Sequence, residues 1–205
     1  MTTQIVFDFG AVLFRWRPDL LVAEHLAPHA ATPPAAQALA RDIFHHDDWQ
    51  SFDRGAVELP WVIERTARRL DLPQDELAGL MSDIPQRLVP IDETVALLTR
   101  LQARRERRDG IGLYFLSNMP APFARVLEQR HGFLRGFDGG VFSGDVGLIK
   151  PDPAIYALAE ARLGLVPQRT VFIDDLADNV RAARARGWRA IQFESAQQLA
   201  ATLEV

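Results

Sequence analysis

The chain has 205 residues, of which 48% are hydrophobic and 24% charged, values typical of an ordinary globular protein. Its net charge of −4 argues against a partner nucleic acid, because nucleic-acid-binding proteins normally carry a basic excess. The absence of cysteine excludes disulfides, thiol catalysis and cysteine–zinc sites. No run approaches the ~20 apolar residues that span a membrane, and the N-terminus lacks the features of a secretory signal. We therefore expect a cytoplasmic protein.

Short apolar runs recur along the chain and predict the strands of one sheet. The first, at residues 5–9, is interrupted only by Asp8. A continuous run of this kind is typical of a strand that is buried on both faces, as in a parallel sheet. Similar runs follow it, and we predict strands at residues 5–9, 111–116, 140–142, 170–173 and 189–193.

Helical patterns separate the later strands. They lie at residues 92–104, 121–130, 153–163 and 179–186. Strands that alternate with helices of this length indicate βαβ units. We therefore predict an α/β protein with a Rossmann-like parallel sheet core and helices on both faces.

The stretch after the first strand breaks this alternation. It contains no convincing buried strand and predicts helices at residues 19–26, 34–44, 59–70 and 74–81. Turn signals such as Asp53-Arg54-Gly55 separate these helices. We interpret residues 15–90 as a mostly helical cap inserted after strand 1, and residues 1–14 and 91–205 as the core.

Polar residues stand where the first two predicted strands meet their loops. Asp8 follows the first strand, and Ser117 and Asn118 follow the second. Ligands of parallel α/β sheets bind at this edge, and a hydroxyl–amide pair before a helix suits a phosphate. Each residue also has a plain structural explanation, such as a turn or a helix cap.

Charged residues complete the series at two later loops. Lys150 lies between stiffening prolines, and a lysine held in place can neutralise a carboxylate and a phosphate oxygen together. Asp174 and Asp175 follow the fourth strand, where two adjacent acids are costly unless a cation lies between them. A surface lysine and an acidic first helical turn are the structural alternatives. The occurrence of all these residues in order after successive strands favours one site.

This pattern resembles the haloacid dehalogenase superfamily, and the resemblance covers nearly the whole chain. The four motifs of the family are matched by Asp8, Ser117-Asn118, Lys150-Pro151 and Asp174-Asp175. The stretch from Lys150 to Tyr156 is the most specific part. The helical insert resembles the type-one cap of the family, which closes over small substrates.

The resemblance implies a phosphatase that uses Mg²⁺. Asp8 would attack phosphorus and become an aspartyl phosphate that water hydrolyses. The metal would be held by Asp8, the backbone carbonyl of Gly10 and Asp175, with Asp174 assisting. The partner would be a small phosphorylated metabolite. Ser117, Asn118 and Lys150 would hold the transferring phosphoryl group, and charge neutralisation of this kind is central to phosphoryl transfer.

The first motif departs from the usual phosphatase pattern at Gly10, where the family normally has a second aspartate. That aspartate protonates the leaving oxygen, and such a group is worth about 10²–10⁴ in rate. Phosphatases that resemble those for glucose 1-phosphate have a similar Asp-x-Gly motif. An easily expelled leaving group needs less protonation, and a cap residue or water could take over the proton transfer. The cap residues considered are His45, His46, Asp47 and Asp53.

Two other interpretations stay open. A metal-independent 2-haloacid dehalogenase also lacks the second aspartate, but it usually carries serine and asparagine in place of Asp174 and Asp175. A non-catalytic phosphate-binding or regulatory protein on the same fold is the second alternative. The oligomeric state is not readable from the sequence.

The cap gives few indications of the substrate. A sugar phosphate is the candidate that the resemblance suggests. Several basic and aromatic cap residues are candidates for a pocket wall, although such residues more often pack within a cap. They are Arg15, Trp16, Arg17, Trp49 and Phe52.

Overall fold

The computed structural model describes residues 2–107 and 110–203. Its parallel sheet has five strands in the order β3-β2-β1-β4-β5, and helices flank it, which confirms the predicted α/β, Rossmann-like class. Among the described residues, no helix is long and apolar enough to cross a membrane. The strands are β1 (Thr3–Phe7), β2 (Ile111–Ser117), β3 (Gly139–Phe142), β4 (Thr170–Asp174) and β5 (Arg189–Gln192).

The described part of the chain contains ten α-helices, and six of them lie between β1 and β2. The first five helices belong to the insert. They are α1 (Pro18–His25), α2 (Pro33–Phe44), α3 (Asp47–Asp53), α4 (Leu59–Leu70) and α5 (Gln74–Arg87). The others are α6 (Asp92–Glu106), α7 (Ala121–Arg130), α8 (Pro153–Leu163), α9 (Ala177–Ala185) and α10 (Ala196–Leu203).

The central strand β1 is buried on both faces, as its apolar sequence predicts. Successive side chains of a strand point to opposite faces, so Val6 and Phe7 enter different apolar clusters. The cluster that contains Val6 also holds Tyr156 and Phe172. The cluster that contains Phe7 extends into the insert and includes Ile43 and other cap side chains.

Two chain segments meet side by side at the edge of the insert. Phe14 forms an antiparallel bridge with Pro90, and the amide of Ile91 donates to the carbonyl of Leu13 at 2.8 Å. The apolar cluster continues across this edge. The boundary that we propose at residues 14/15 and 90/91 therefore marks where the chain enters and leaves the insert, and it does not separate two hydrophobic cores.

The structure differs from the predicted elements in a few places. The first strand ends at Phe7, because the carbonyl of Phe9 accepts hydrogen bonds from the following loop, including that from Leu13 at 2.9 Å. Helices α3 and α10, of seven and eight residues, are absent from the predicted elements, since segments this short give few repeats of an apolar period. The predicted end of α5 is too early, since that helix continues through Pro85 to Arg87.

Candidate active site

The three central strands bring the predicted site residues to one edge of the sheet. Asp8 follows β1, Ser117 ends β2 and Asp174 ends β4. Since β1 lies between β2 and β4, the carboxyl ends of these strands are neighbours. This is the edge at which parallel α/β sheets bind their ligands.

Lys150 lies at the centre of this group. Its Nζ atom is 2.8 Å from Asp8 Oδ1 and 2.7 Å from Asp174 Oδ2, and its side chain is 1% exposed. A charge this deeply buried is stable only when it is paired and hydrogen-bonded. The two carboxylates therefore fix the position of the ammonium group.

Asn118 holds the backbone on which Lys150 is carried. Its Nδ2 donates to the carbonyl of Lys150 at 2.9 Å, and its Oδ1 accepts from the amide of Lys150 at 2.8 Å. The side chain that the sequence assigned to a phosphate thus clamps the lysine loop. The neighbouring Ser117 hydroxyl is buried and has no hydrogen-bond partner among the described residues.

Asp174 is held by donors on both carboxylate oxygens. Oδ1 accepts from the amide of Leu176, and Asn179 Nδ2 lies 2.9 and 3.0 Å from the two oxygens. Tyr156 in turn donates its hydroxyl to the carbonyl of Asn179 at 3.0 Å, and burial raises the pKa of Tyr156, which keeps that proton in place. Asn179 is not among the predicted site residues, and its only signal in the sequence is its position in the first turn of the helix after the acidic pair.

The carboxylates at this edge outnumber the cations. Asp8, Asp174 and Asp175 each present an oxygen within 4.8 Å of the others, beside the single ammonium of Lys150. Burial raises the pKa of Asp8 to about 7, with Lys150 opposing it, and burial with Asp174 raises the pKa of Asp175 to about 6. A divalent cation would relieve this excess of negative charge. Hard oxygen donors of this kind fit Mg²⁺.

The lysine keeps its charge in spite of burial. Desolvation lowers the pKa of Lys150, but the nearby carboxylates of Asp174 and Asp8 outweigh that effect, and the pKa is raised above its ordinary value. The group is therefore a permanent cation at neutral pH. It supplies positive charge at the point where a negatively charged ligand would approach Asp8.

Gly10 leaves room for the carboxyl group that the sequence lacks. A Cβ atom built at Gly10 would meet no atom within 4 Å. The next residue, Ala11, has a positive φ of 56° and lies in a turn. Steric crowding therefore does not explain the missing acid.

A cavity of about 560 Å³ extends from Asp8 and Lys150 into the cap. Trp16 and Trp49 line it as the sequence suggested, whereas Phe52 packs against Trp49, and Arg17 pairs with Asp19 at the surface. Among the described lining residues, Lys150 is the one lysine or arginine. The apolar part of the wall consists of Trp16, Pro18, Phe44, Trp49, Ile84, Leu88, Met119, Pro120, Phe123, Ile149, Pro151 and Leu176.

Comparison with known proteins agrees with the fold. Residues 76–187, more than half of the chain, match the model of the haloacid dehalogenase-like hydrolases. The chain therefore belongs to that family, and it is a hydrolase whose relatives include proteins named as phosphatases. This confirms the resemblance drawn from the four motifs.

Individual relatives add detail. The chain is 29% identical over 182 residues to a sesquiterpene phosphatase of Aspergillus oryzae, covering 89% of this chain and 85% of that protein. A haloacid dehalogenase family enzyme of Bacteroides thetaiotaomicron, crystallised with magnesium and inorganic phosphate, superimposes with a TM-score of 0.72 at 16% identity, covering 95% of each chain. An L-2-haloacid dehalogenase of Xanthobacter autotrophicus superimposes with a TM-score of 0.65 at 22% identity, covering 100% of this chain and 83% of that one.

Proposed function

We propose that this protein hydrolyses a phosphate monoester through an aspartyl phosphate on Asp8, with Mg²⁺ bound beside it. One observation carries the proposal: a buried carboxylate is paired with a buried lysine, and an unpartnered buried hydroxyl lies at the end of the adjacent strand. Pairing with Lys150 supports a carboxylate that must approach a dianionic phosphate. Ser117 is not among the residues that line the cavity, but its buried hydroxyl has no partner in the described chain and would donate to a phosphoryl oxygen.

The reaction has two steps. In the first, an oxygen of Asp8 forms a bond to phosphorus, and the bond from phosphorus to the alcohol oxygen breaks. In the second, water attacks the aspartyl phosphate and releases Asp8 and inorganic phosphate. Lys150 neutralises negative charge near Asp8 in both steps, and Ser117 donates to a phosphoryl oxygen. Asn118 contributes by holding the lysine loop in place.

Mg²⁺ would be held by Asp8, Asp175 and the backbone carbonyl of Gly10, and when bound it would withdraw negative charge from the phosphoryl group. Asp174 would assist from outside this ligand set. Its oxygens already accept from Lys150, Asn179 and the amide of Leu176. Its contribution is to aim Lys150 at Asp8.

The cavity wall favours an apolar alcohol as the other half of the ester. Aromatic and aliphatic side chains form more than half of the wall, whose polar cap members are His45, Gln50 and Asp53. A hydroxyl-rich group would leave some of its hydroxyls against apolar surface without hydrogen-bond partners and would lose binding energy. With no second cation beside Lys150 in the described wall, an additional carboxylate or phosphate on the substrate would be unpaired. The name of the sesquiterpene phosphatase is consistent with this choice. The sugar phosphate suggested by the first motif stays a prediction.

The site argues against a metal-independent dehalogenase. Asp174 and Asp175 lie beside Asp8 and would repel the carboxylate of a 2-haloacid unless a cation offset their charge. The similarity to the Xanthobacter dehalogenase concerns the fold alone. Release of chloride from 2-chloropropionate in the presence of a metal chelator would support this alternative.

A phosphatase screen with Mg²⁺ and with EDTA tests the proposal. We expect phosphate release from linear alkyl phosphates and from p-nitrophenyl phosphate, dependent on Mg²⁺, with weaker turnover of glucose 1-phosphate and phosphoglycolate. A protein that binds Mg²⁺ and phosphate but turns over none of these esters would instead be the non-catalytic binding protein.

A further inference from the structure

The proposed hydrolysis needs a proton for the alcohol oxygen, and Gly10 cannot supply it. The attacking and leaving oxygens of a phosphoryl transfer lie roughly in line with phosphorus. Asp8 attacks from the sheet edge, so the leaving oxygen must face the opposite side of the cavity. That side is formed by the cap, and a proton donor is therefore expected on a cap element.

Asp53 is an acid on that side. It is the last residue of α3, is partly buried, and lines the same cavity as Asp8 and Lys150. The charge of Lys150 acts on the Asp53 carboxyl group, which also receives a side-chain hydrogen bond from Trp49. The carboxyl group therefore belongs to the same electrostatic environment as the nucleophile.

The core holds the Asp53 backbone in place. Ser143, which follows β3 and is fully buried, donates its hydroxyl to the carbonyl of Asp53 at 2.5 Å. The same hydroxyl accepts from the amide of Met119 at 2.8 Å, directly after the Ser117-Asn118 pair. This connection joins residues 90 positions apart and ties the end of α3 to the segment that follows β2.

The other acidic or basic candidates on this part of the cap are less suited. His45 lines the cavity but is exposed. His46 uses its Nδ1 atom to cap α3, where it accepts from the amide of Asp48 at 3.1 Å. Asp47 is exposed, and it does not line the cavity. Among these residues, only Asp53 is both partly buried and part of the cavity wall.

We propose that Asp53 is the general acid–base residue that replaces the missing aspartate of the first motif. The assignment rests on the proposed phosphatase function. As the bond from phosphorus to the alcohol oxygen breaks, its electron pair goes to that oxygen, which takes the proton of Asp53. The Asp53 carboxylate then takes a proton from the water that attacks the aspartyl phosphate, and the electron pair of the broken bond returns to Asp8.

The protonation state agrees with this role. Burial raises the pKa of Asp53 to about 8, although Lys150 and the hydrogen bond from Trp49 both oppose the shift. The acid form therefore predominates at neutral pH, as the first step requires. The other ionisable groups in the cavity wall are Asp8, His45, Lys150, Asp175 and Asp178.

Two esters with different leaving groups test the assignment. An alkyl phosphate expels a strongly basic alkoxide and needs a proton, whereas p-nitrophenyl phosphate expels a stable phenolate and does not. We expect Asp53→Asn to lower kcat/KM for the alkyl ester about 10²–10⁴-fold and to change the value for the nitrophenyl ester little. Asp47→Asn, in the same helix but outside the cavity wall, is the matched control and should leave both values unchanged.

A second variant uses the open space at Gly10. Adding Gly10→Asp to the Asp53→Asn protein should restore a large part of the alkyl phosphatase activity, since an acid then stands at the usual position of the family. Equal losses of both esters in Asp53→Asn, or no loss of either, would overturn the assignment. In the unaltered enzyme, kcat/KM should depend only weakly on the basicity of the leaving group, and a steep dependence would also overturn it.

Asp8→Asn separates failure of this assignment from failure of the proposed function. If the unaltered protein cleaves both esters and Asp8→Asn abolishes both, the phosphatase function stands whatever Asp53→Asn does. If the unaltered protein cleaves neither ester with Mg²⁺ present, the function and the role of Asp53 are both overturned.

Discussion

The two ends of the cavity are constructed differently. At the core end, Lys150, Asp174 and Asn118 are joined by buried ion pairs and hydrogen bonds between residues that follow strands. At the cap end, the wall is mainly rings and aliphatic side chains, with His45, Gln50 and Asp53 as its polar members, and Asp53 is tied to the core through its backbone carbonyl. The core therefore supplies most of the charge, whereas the cap supplies mainly apolar surface.

This difference suggests a division of labour. A rigid charged end treats every phosphoryl group alike, because the transferred group is the same in each monoester. An apolar end that exchanges few hydrogen bonds discriminates by size and hydrophobicity. Variants at the core end should therefore affect all substrates equally, and variants at the cap end should affect them selectively.

The largest effect is expected at the nucleophile. Asp8→Asn should reduce phosphate release by about 10⁴-fold or more for every ester, because the attacking group is lost. The protein should remain folded, since burial already disfavours the charged form of this carboxyl group. A phosphate-release assay measures the loss of activity, and a thermal melt checks that the variant is folded. Activity that survives in the variant would show that Asp8 is not the nucleophile. The core end would then lack the catalytic role that distinguishes it from the cap end.

The second prediction concerns the buried ion pairs. Lys150→Met should destabilise the protein by about 3–5 kcal/mol in urea unfolding at neutral pH without metal, because Asp8 and Asp174 lose their buried cation. Arg125→Met is the control at the exposed pair with Asp145, where a loss of at most ~1 kcal/mol is expected. Equal losses in the two variants would mean that the core end is not held by charge.

The positions of residues at the core end follow from the sequence more directly than those at the cap end, for a physical reason. A short apolar run marks a buried strand, and an acid or hydroxyl at its end marks the ligand-binding edge. Asp8, Ser117 and Asp174 were therefore found from local pattern and family motifs. The clamp between Asn118 and Lys150 joins residues 32 positions apart, and no local pattern encodes it.

The cap lacks such markers. Its helix α3 has seven residues and too short an apolar pattern to be recognised, yet it carries both Trp49 and Asp53 into the cavity. The packing of α1 to α5 decides which cap aromatics face the cavity. Only the structure therefore shows that Trp16 lines the cavity, whereas Phe52 packs against Trp49. Local sequence patterns indicate the cap helices, whereas the composition of the cavity wall depends on how these helices pack against one another.

The third prediction tests selectivity at the cap end. Trp16→Ala should lower kcat/KM for long alkyl phosphates about 10–100-fold relative to ethyl phosphate, because burial of a large apolar group contributes about 1.5–3 kcal/mol. Trp61→Ala is the control, since Trp61 is 40% exposed on α4 and stacks on Arg65 rather than lining the cavity. A loss that is independent of chain length would contradict a cap that selects by apolar contact.

The remaining prediction is a pH-dependent change in stability at Asp53. Its pKa rises from an ordinary value of 3.8 to about 8 on folding, so the folded protein binds the proton more tightly than the unfolded chain. Stability must then fall as pH rises between these two values, by up to about 1.4 kcal/mol per pH unit from this one group. Above pH 8 the contribution is constant, because both states have lost the proton.

Asp53→Asn removes this dependence. The difference in unfolding free energy between the variant and the unaltered protein should move in favour of the variant from pH 5 to pH 8 and then remain level. Asp8 and Asp175 titrate in both proteins, so their contributions cancel in the difference. Asp47→Asn should give a difference that does not change with pH. If the Asp53→Asn difference is equally flat in urea unfolding without metal, Asp53 is ionised like a surface acid, and the cap end contributes shape without a proton donor.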